Sequence, residues 1–370
     1  MKALLFTLEY PPHYGGVANY YGNLVKHWPK PLEIFVLDNK DKGLINNQLL
    51  VLKWLPSLLK LWKIIKQEKI NYVLVGQILP LGTVAYFISK IIKIKYAVFF
   101  HGMDFTFAIQ HPIKSWLTRK ILKNSDKIIC CNSYVAGLVQ KFYPEIKNKI
   151  NIVNPGVSEL KSVSQESAGE LKEKYNLAYK TVLLSIGRLV KRKGFLDVIK
   201  SLPEVLKKIP NLIYVIVGSG IEINNLRAKI SELKLADKVI IIINADDQER
   251  NAWLNLCDIF IMPAKNIDND FEGFGIVYLE ANIAGKPVIA CQSGGVSDAV
   301  VDGVNGLLVD SENLNQISEA IIKLSENFFL RQKLCEQGCQ RALKNFNWQK
   351  QISQIYKLIY LYDKHYYSCL

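Results

Sequence analysis

Short apolar runs alternate with longer stretches of helical spacing along the whole chain. The runs that resemble strands are KALLFTL, PLEIFVL, INYVLVG, KYAVFF, DKIICCN and KINIVN, followed in the second half by TVLLSIG, LIYVIVG, KVIIII, DIFIMP and PVIAC. Continuous apolar strands separated by helices are typical of parallel sheets that are covered on both faces. The two series therefore predict an α/β protein with two Rossmann-like, doubly wound parallel-sheet domains facing a central cleft.

A polar segment separates the two series of strands. The sequence NPGVSELKSVSQESAGE, residues 154–170, is rich in Ser, Gly, Pro and charge, as linkers are. A chain of 370 residues suits two domains that each bury a core of their own. We predict an N-terminal domain at 1–160, a C-terminal domain at 161–349 and a final helix at about 350–370.

One long uncharged stretch needs an interpretation of its own. Residues 70–89 carry no Asp, Glu, Lys or Arg, but Gly76, Pro80 and Gly82 interrupt them. These breaks favour a buried strand, a turn and a helix over a membrane span. The apolar run at the N-terminus is too short for a signal peptide, which favours a cytoplasmic location.

The positive charge is concentrated in the first half of the chain. Residues 1–155 contain 21 Lys and Arg against 8 Asp and Glu, whereas residues 156–370 contain 26 against 25. A basic half indicates an anionic partner, such as a membrane surface, nucleic acid or an acidic substrate, although a solvated lysine-rich surface has the same composition. The chain has no recognisable nucleic-acid-binding motif, so we expect no nucleic-acid partner.

Two glutamates bracket a glycine-containing turn in EGFGIVYLE. Glu272 and Glu280 lie eight residues apart, which corresponds to roughly 12 Å of helix. Paired carboxylates that cleave a glycosidic bond stand about 5–10 Å apart, so the spacing favours binding the two ends of a nucleotide-sugar. On spacing alone, an ordinary solvated helix remains the alternative.

A phosphate group fits between these glutamates. If the helix begins near Phe274, the free N–H groups of Gly275, Ile276 and Val277 point at an anion. Glu272 would then accept hydrogen bonds from sugar hydroxyls and Glu280 from the ribose. We therefore predict donor contacts from Phe274 through Val277.

Basic residues and glycines follow several of the predicted strands. Arg188 and Lys193 in GRLVKRKG suit a diphosphate leaving group, and Gly218 follows LIYVIV where a nucleotide would approach. Gly15 and Gly16 follow the first strand and suit phosphate binding. Each of these also fits a basic loop or a tight turn.

His101 and an Asp-x-Asp pair offer further chemistry. His101 ends KYAVFF at the edge where parallel sheets bind ligands, so it suits a sugar or a reacting group, with a surface loop as the alternative. Asp268 and Asp270 are able to bind Mg²⁺ or Mn²⁺. Because Arg188 and Lys193 already supply positive charge, we predict no metal and interpret this pair as an acidic loop.

The segment 57–69 has the pattern of a basic amphipathic helix. The apolar positions are Leu58, Leu59, Leu61, Trp62 and Ile65, and Lys60, Lys63 and Lys66 lie opposite. Such a helix lies on an anionic membrane or packs on its own sheet. Packing is the favoured interpretation for most of the apolar residues.

Taken together, these motifs resemble the retaining glycosyltransferases of family 4, which have the GT-B fold. The matching segments, in the family's order, are PPHYGGVANY, HGMD, CNSYVAGLV, NPGVS, GRLVKRKG, VIVGSG, EGFGIVYLEANIAGKPVIACQSGG and DGVNGLLV. They extend over almost the whole chain. The E-x7-E block and GRLVKRKG are the most specific of them.

The resemblance implies a role for each candidate residue. Glu272 contacts the transferred sugar, Glu280 the ribose, and Arg188 and Lys193 the diphosphate. Gly15 and Gly16 close over the donor, and His101 lies beside the sugar. The family uses no cofactor other than its nucleotide-sugar co-substrate and usually needs no metal, and its final helix crosses back to the N-terminal domain.

The sequence thus predicts a retaining, metal-independent hexosyltransferase. The acceptor is expected to be a glycan or a lipid-linked precursor of a cell-surface polysaccharide, glycolipid or lipopolysaccharide. The basic half suggests a peripheral enzyme on the inner face of the cell membrane. Two alternatives are a GT-B sugar phosphorylase or nucleotide-sugar epimerase and a non-catalytic protein that binds nucleotide-sugars or membranes.

Overall fold

The computed structural model describes residues 2–13, 15–40, 42–45, 53–158, 165–268 and 270–367. The described residues form two compact units. The first consists of residues up to Gly156 together with the C-terminal segment from Trp348, and the second extends from Val157 to Asn347. The chain therefore passes twice between the units, at 156/157 and at 347/348.

The first unit contains a six-stranded, wholly parallel sheet. Its strands are β1 (Lys2–Phe6), β2 (Glu33–Leu37), β3 (Tyr72–Val75), β4 (Lys95–Phe100), β5 (Lys127–Cys130) and β6 (Ile150–Ile152). Its helices are α1 (Gly16–Lys26), α2 (Leu55–Glu68), α3 (Thr83–Ile92), α4 (Met103–Ile109), α5 (Pro112–Asn124) and α6 (Ser133–Phe142). The strand order is β2-β1-β3-β4-β5-β6.

The second unit contains another six-stranded parallel sheet. Its strands are β7 (Thr181–Ile186), β8 (Leu212–Val217), β9 (Val239–Ile242), β10 (Ile259–Met262), β11 (Val288–Cys291) and β12 (Gly306–Val309), in the order β12-β11-β10-β7-β8-β9. Its helices are α7 (Gln165–Lys174), α8 (Phe195–Lys208), α9 (Ile223–Glu232), α10 (Asp247–Leu256), α11 (Ile276–Ile283), α12 (Val296–Ala299), α13 (Leu314–Glu326) and α14 (Phe328–Asn345).

Both faces of the second sheet are buried. On β7, Val182, Leu184 and Ile186 belong to one hydrophobic cluster, whereas Leu183 belongs to another. Successive side chains of a strand point to opposite faces, so the two clusters lie on the two sides of the sheet. This is the physical reason why these strands are recognisable as continuous apolar runs.

The final helix, α15 (Trp348–Tyr367), packs in the first unit. Its residues Trp348, Ile352, Ile355 and Ile359 are buried in the same cluster as residues of β1, β3 and β4. Their spacing of three or four residues forms one apolar face of a helix, which explains why the segment docks as a helix.

The structure confirms the α/β class and the two doubly wound parallel sheets, with each predicted strand in place. One strand, β12, was not among the predicted ones, because its core GLLV is only four residues long. Residues 70–89 form β3, a turn at 78–82 and most of α3, as predicted. In the described ranges, every helix is too short or too polar to cross a bilayer.

Each sheet reverses its direction of growth beside its first strand. In the second unit β7 lies between β10 and β8, and in the first unit β1 lies between β2 and β3. Ligands of open α/β sheets bind outside the carboxyl ends of strands at this reversal. The segments that follow β7 and β10 therefore lie where a ligand of the second unit is expected to bind.

Candidate functional site

A buried cluster of charged side chains follows β7 and β10 in the second unit. Glu272 is buried, and its Oε2 atom lies 2.8 Å from Nζ of Lys193. Nη1 of Arg192 contacts the same oxygen, and Nε of Arg192 lies 2.9 Å from Oδ1 of Asp270. Two cations thus converge on one carboxylate oxygen at the carboxyl edge of the sheet.

The local backbone explains how these groups meet. Residues Lys191–Lys193 form a single 3-10 turn, in which Lys191 points outward while Arg192 and Lys193 are buried. The N–H of Lys265 donates to the carbonyl oxygen of Arg192 at 2.8 Å, which ties the loop after β10 to this turn. The turn therefore brings two adjacent cations, Arg192 and Lys193, to the carboxylate of Glu272.

The charges of Lys193 and Arg192 decide the state of Glu272. Burial by itself would raise the pKa of this carboxyl, but the two neighbouring cations outweigh it and hold the pKa below its usual value. Glu272 is therefore ionised at neutral pH. A buried carboxylate is stabilised in this way only while its partners remain.

The second oxygen of Glu272 remains open. Among the described residues, buried side-chain nitrogen and oxygen atoms without a hydrogen-bond partner are found only in Trp28, Trp253 and Asp270. No described group bonds to Oε1 of Glu272, so this atom is accessible rather than sealed in the core. A ligand hydroxyl is able to donate to it.

Helix α11 begins beside Glu272, although later than the sequence predicts. The helix was expected to start near Phe274, but Gly275 is its N-cap and Ile276 its first residue. Glu272 thus lies on the loop before the helix, and the expected helical rise of eight residues does not apply to this pair. Gly275 has a φ of 78°, and a Cβ there would collide with the ring of Tyr278, which explains the glycine.

The start of α11 offers free donors. In the described part of the chain, the N–H groups of Gly275, Ile276 and Val277 have no hydrogen-bond partner, as is usual at a helix N-terminus. The side chain of Phe274 is buried and packs against Phe346, at 5.8 Å between ring centroids. Phe274 is therefore able to contact a ligand only through its backbone.

Glu280 has a different partner and a different electrostatic state. Its Oε2 contacts Nη2 of Arg250, which lies on α10. Burial raises the pKa of Glu280, and Arg250 offsets only part of that effect. The two glutamates of the motif therefore belong to separate charge clusters, which have none of the described residues in common.

The other predicted residues of this unit, Arg188 and Gly218, lie after strands but make no contact with described residues of the kind seen for Glu272 or Glu280. Arg188 follows the end of β7 by two residues, is exposed and has no ion-pair partner in the described chain. Gly218 packs against Gly187, and a Cβ on it would collide with the Gly187 carbonyl oxygen. The glycine is thus explained by packing that supports the Arg188 loop, and its contact with the donor stays a prediction.

Asp268 and Asp270 differ in their surroundings. Asp268 is exposed and has a φ of 53°, whereas Asp270 is engaged by Arg192. No cluster of three or more His, Cys, Asp or Glu side chains with metal-binding geometry occurs in the parts of the chain that are described.

The first unit contains the remaining predicted residues. Gly15 is the N-cap of α1 and Gly16 its first residue, and a Cβ on Gly16 would meet no atom within 4 Å. His101 follows β4 and is partly buried, with its Nε2 atom 2.9 Å from the hydroxyl of Tyr21. His101 is therefore a fixed group and not a solvated loop residue.

Two functional candidates were missed from the sequence. The sequence GRLVKRKG predicts only a basic loop around Arg192, and no motif points to Arg250. The available signal was indirect, because a buried glutamate requires a cationic partner. The linear sequence does not show which of several cations supplies it.

Both halves of the chain match models of known protein families. Residues 14–159 match the family described as Glycosyltransferase Family 4, and residues 168–341 match Glycosyl transferases group 1. The chain is similar to a GDP-mannose-dependent alpha-(1-6)-phosphatidylinositol monomannoside mannosyltransferase of Mycolicibacterium smegmatis. The two are 25% identical over 375 residues, which cover 96% of this chain and 97% of that protein.

Solved structures share the fold over nearly the full length. A glycosyltransferase from Rickettsia africae superposes with a TM-score of 0.80 and 20% identity, covering 96% of this chain and 98% of that one. HepE of Anabaena in complex with UDP gives a TM-score of 0.76 and 18% identity, with 96% and 99% covered. At these identities the likeness concerns the fold alone.

Proposed function

This chain belongs to glycosyltransferase family 4 and is a nucleotide-sugar-dependent glycosyltransferase of the GT-B fold; we propose that it transfers a hexose with retention of the anomeric configuration. The acceptor in this proposal is a glycan or a lipid-linked precursor of a cell-surface polysaccharide or glycolipid. The name of the mycolicibacterial relative, which specifies a phosphatidylinositol mannoside, supports an acceptor of this kind.

The observation that carries the proposal is the environment of Glu272. One of its oxygens is held by Lys193 and Arg192, and the other has no partner among the described residues. The free N–H groups at the start of α11 follow Glu272 closely in the chain, from Gly275 onward. Cations and helix N–H groups bind phosphate, and an ionised carboxylate accepts hydrogen bonds from sugar hydroxyls. The cluster therefore suits the junction between a sugar and a diphosphate.

The proposed reaction needs no protein nucleophile. The bond between the anomeric carbon and the leaving phosphate oxygen breaks, and the acceptor oxygen bonds to the same face of that carbon. The proton of the acceptor hydroxyl passes to an oxygen of the leaving diphosphate. Lys193, Arg188 and the N–H groups of α11 stabilise the charge that develops on this diphosphate.

Glu280 is assigned to the ribose in the same proposal. It lies within α11, and Arg250 holds one of its oxygens. A carboxylate fixed by an arginine is a suitable acceptor for a pair of ribose hydroxyls. The roles of Gly15, Gly16 and His101 beside the donor rest on the resemblance to the family.

The donor is the first property to test. A ligand that binds only the folded state raises the apparent stability of a protein. A thermal-shift screen with UDP-, GDP- and ADP-sugars should identify one base whose sugar nucleotide raises the Tm. Product analysis of the donor that binds then separates transfer from phosphorolysis, which yields a sugar phosphate, and from epimerisation, which leaves the donor intact except at one carbon.

We predict that the reaction does not depend on a divalent metal or other cofactor. Protein cations replace the metal at the leaving group, and Arg192 already engages Asp270. Activity should therefore survive dialysis against EDTA. Loss of activity that Mn²⁺ restores, together with weakening in Asp268→Asn or Asp270→Asn, would instead assign the Asp-x-Asp pair to a metal.

Helix α2 provides a surface for membrane docking. Leu61 and Ile65 are buried, whereas Leu55, Leu59 and Trp62 are exposed on a neighbouring face of the helix. Leu61 and Ile65 thus pack inward and Leu58 is half-buried, in line with the expectation for most apolar residues of this segment, whereas Leu59 and Trp62 do not pack inward. We propose that the exposed residues dock the enzyme on the inner face of the cell membrane.

The surroundings of α2 support this proposal. Phe87 and Ile91 on the adjacent helix α3 are also exposed, and Phe87 stacks on Trp54 at 5.7 Å between ring centroids. Helices α2 and α3 and the end of α3 also carry exposed lysines, which are Lys60, Lys63, Lys66, Lys90 and Lys93. Exposed aromatic residues and exposed lysines on the same two helices match the interface of an anionic leaflet.

Vesicle co-sedimentation checks the membrane proposal. Binding should rise with the fraction of anionic lipid and fall with salt, because each basic residue near such a surface contributes about 1 kcal/mol. Trp62→Ser should reduce binding, whereas Phe329→Ser, at an exposed aromatic residue of the second unit, should not. Equal binding to neutral vesicles, or none to either kind, would leave the charge as a determinant of solubility.

A further inference from the structure

One nitrogen of the His101 ring is already occupied by the protein. Nε2 lies 2.9 Å from the hydroxyl of Tyr21, and that hydroxyl donates to the carbonyl oxygen of Gly76 at 2.7 Å. A tyrosine hydroxyl has a single proton, and a carbonyl oxygen is only able to accept. The proton therefore points to Gly76, and the oxygen of Tyr21 accepts a hydrogen bond from Nε2–H of His101.

The charge states of both side chains agree with this arrangement. Burial lowers the pKa of His101 to about 4, so the ring is neutral near pH 7 and carries one proton. Burial raises the pKa of Tyr21 well above its usual value, so its hydroxyl keeps its proton. With the ring proton on Nε2, Nδ1 is left with a lone pair.

His101 is held through its backbone and through its ring. The carboxylate of Asp104 accepts the backbone N–H of His101, and the thiol of Cys131 donates to the His101 carbonyl oxygen at 3.2 Å. The ring of Tyr20 packs edge-on against the imidazole at 4.8 Å between centroids. The backbone hydrogen bonds fix the position of the residue, and the Tyr20 ring and the Tyr21 hydroxyl restrict rotation of the imidazole.

Nδ1 is the nitrogen that remains available. It has no partner among the described residues, and it is not one of the buried unpaired atoms, which occur only in Trp28, Trp253 and Asp270. His101 thus offers an accessible acceptor at a fixed position after β4. A ligand group that bonds to it must donate a proton.

We infer that Tyr21 is a positioning residue that fixes His101 as the Nε2–H tautomer, so that Nδ1 accepts a hydrogen bond from a hydroxyl of the transferred sugar. The tautomer follows from the structure alone, and its use by the sugar rests on the proposed function. The inference adds a rule of specificity: a donor whose sugar has a deoxy or keto group at that position loses the contact.

Tautomer assignment by ¹⁵N NMR tests the first part on the full-length protein without ligand. Near neutral pH, Nδ1 of His101 should give an acceptor-type resonance and Nε2 a protonated one, with His101→Asn used to assign the signals. Tyr21→Phe should produce a mixture of tautomers. Tyr20→Phe is the matched control, because its ring touches His101 without a hydrogen bond, and it should leave the tautomer unchanged.

Two results would overturn the role of Tyr21. One is a His101 ring protonated at Nδ1 in the unmodified protein. The other is a single Nε2–H tautomer that persists in Tyr21→Phe. Neither result depends on enzymatic activity, so both are distinguishable from a failure of the proposed function.

Kinetics test the second part. Tyr21→Phe should lower kcat/KM for the sugar nucleotide by about 2- to 10-fold, the worth of one hydrogen bond, and should leave the affinity for the free nucleoside diphosphate unchanged. His101→Asn, whose amide oxygen can take the place of Nδ1, should retain more transfer than His101→Gln, whose amide reaches toward Tyr21.

The kinetic outcome separates the two parts of the inference. If His101→Gln transfers sugar as well as or better than His101→Asn, Nδ1 is not the acceptor used. If the tautomer is as inferred but none of the variants changes transfer, the assignment of the sugar to His101 fails while the role of Tyr21 in fixing the ring stands.

Discussion

Lys193→Ala and Arg188→Ala are each expected to lower turnover by about 10²- to 10³-fold, the loss seen when one preorganised donor to a transition state is removed. Lys193 is buried beside Glu272, so its charge acts where water is largely excluded. Arg188 is exposed, with no ion-pair partner in the described chain, and is free to move onto a bound diphosphate. The measurement is kcat with the donor that the thermal-shift screen identifies.

Lys191→Ala is the matched control for this prediction. Lys191 belongs to the same short turn and carries the same charge, but it is exposed and points away from the buried cluster. Its replacement should leave turnover close to that of the unmodified enzyme. Thermal unfolding of all variants separates loss of chemistry from loss of fold, and near-normal turnover in both Lys193→Ala and Arg188→Ala would remove them from the site.

The sequence does not reveal which cation of the turn at 191–193 is buried, as the contrast between Lys191 and Arg192 shows. Both lie in KRK, and the letters alone do not reveal that the turn directs one outward and the other into the core. That distinction depends on the close approach of the loop after β10, whose Lys265 N–H binds the Arg192 carbonyl oxygen. This contact joins segments that are far apart in the chain and meet only when the sheet has formed. The residues next to Arg192 therefore do not indicate it.

The elements of the fold were predictable for a physical reason. A strand buried on both faces must be apolar at consecutive positions, as IFIM of β10 is, and few other structures impose that pattern. Helix starts were harder, since Gly275 ends the loop in a left-handed conformation that the surrounding EGFGIV does not announce. The helix thus begins close to the predicted Phe274, with Glu272 before it as expected, but the helical rise used for the span between the two glutamates does not apply.

Glu280→Gln and Glu272→Gln should separate the two ends of the donor. Glu280→Gln is expected to weaken binding of the free nucleoside diphosphate by about 1.5–3 kcal/mol, the worth of a hydrogen bond to a charged group, because that ligand contains the ribose. Glutamine preserves the shape of the side chain, so Arg250 keeps a polar neighbour.

Glu272→Gln should act in another way. The free nucleoside diphosphate has no sugar to contact this side chain, and removing a negative charge 2.8 Å from Nζ of Lys193 leaves that cation more available to phosphate. Affinity for the diphosphate should therefore stay the same or increase, while sugar transfer falls because the open oxygen no longer belongs to an ionised carboxylate.

Calorimetry with UDP or GDP, whichever binds, decides between these expectations. Glu232→Gln serves as a control on the same unit, since its partner Lys229 lies on the surface of α9 and surface ion pairs contribute little. It should change neither diphosphate affinity nor transfer. A loss of diphosphate affinity in Glu272→Gln as large as that in Glu280→Gln would mean that both glutamates act on the nucleotide. The sugar would then have to be bound by groups other than the open oxygen of Glu272.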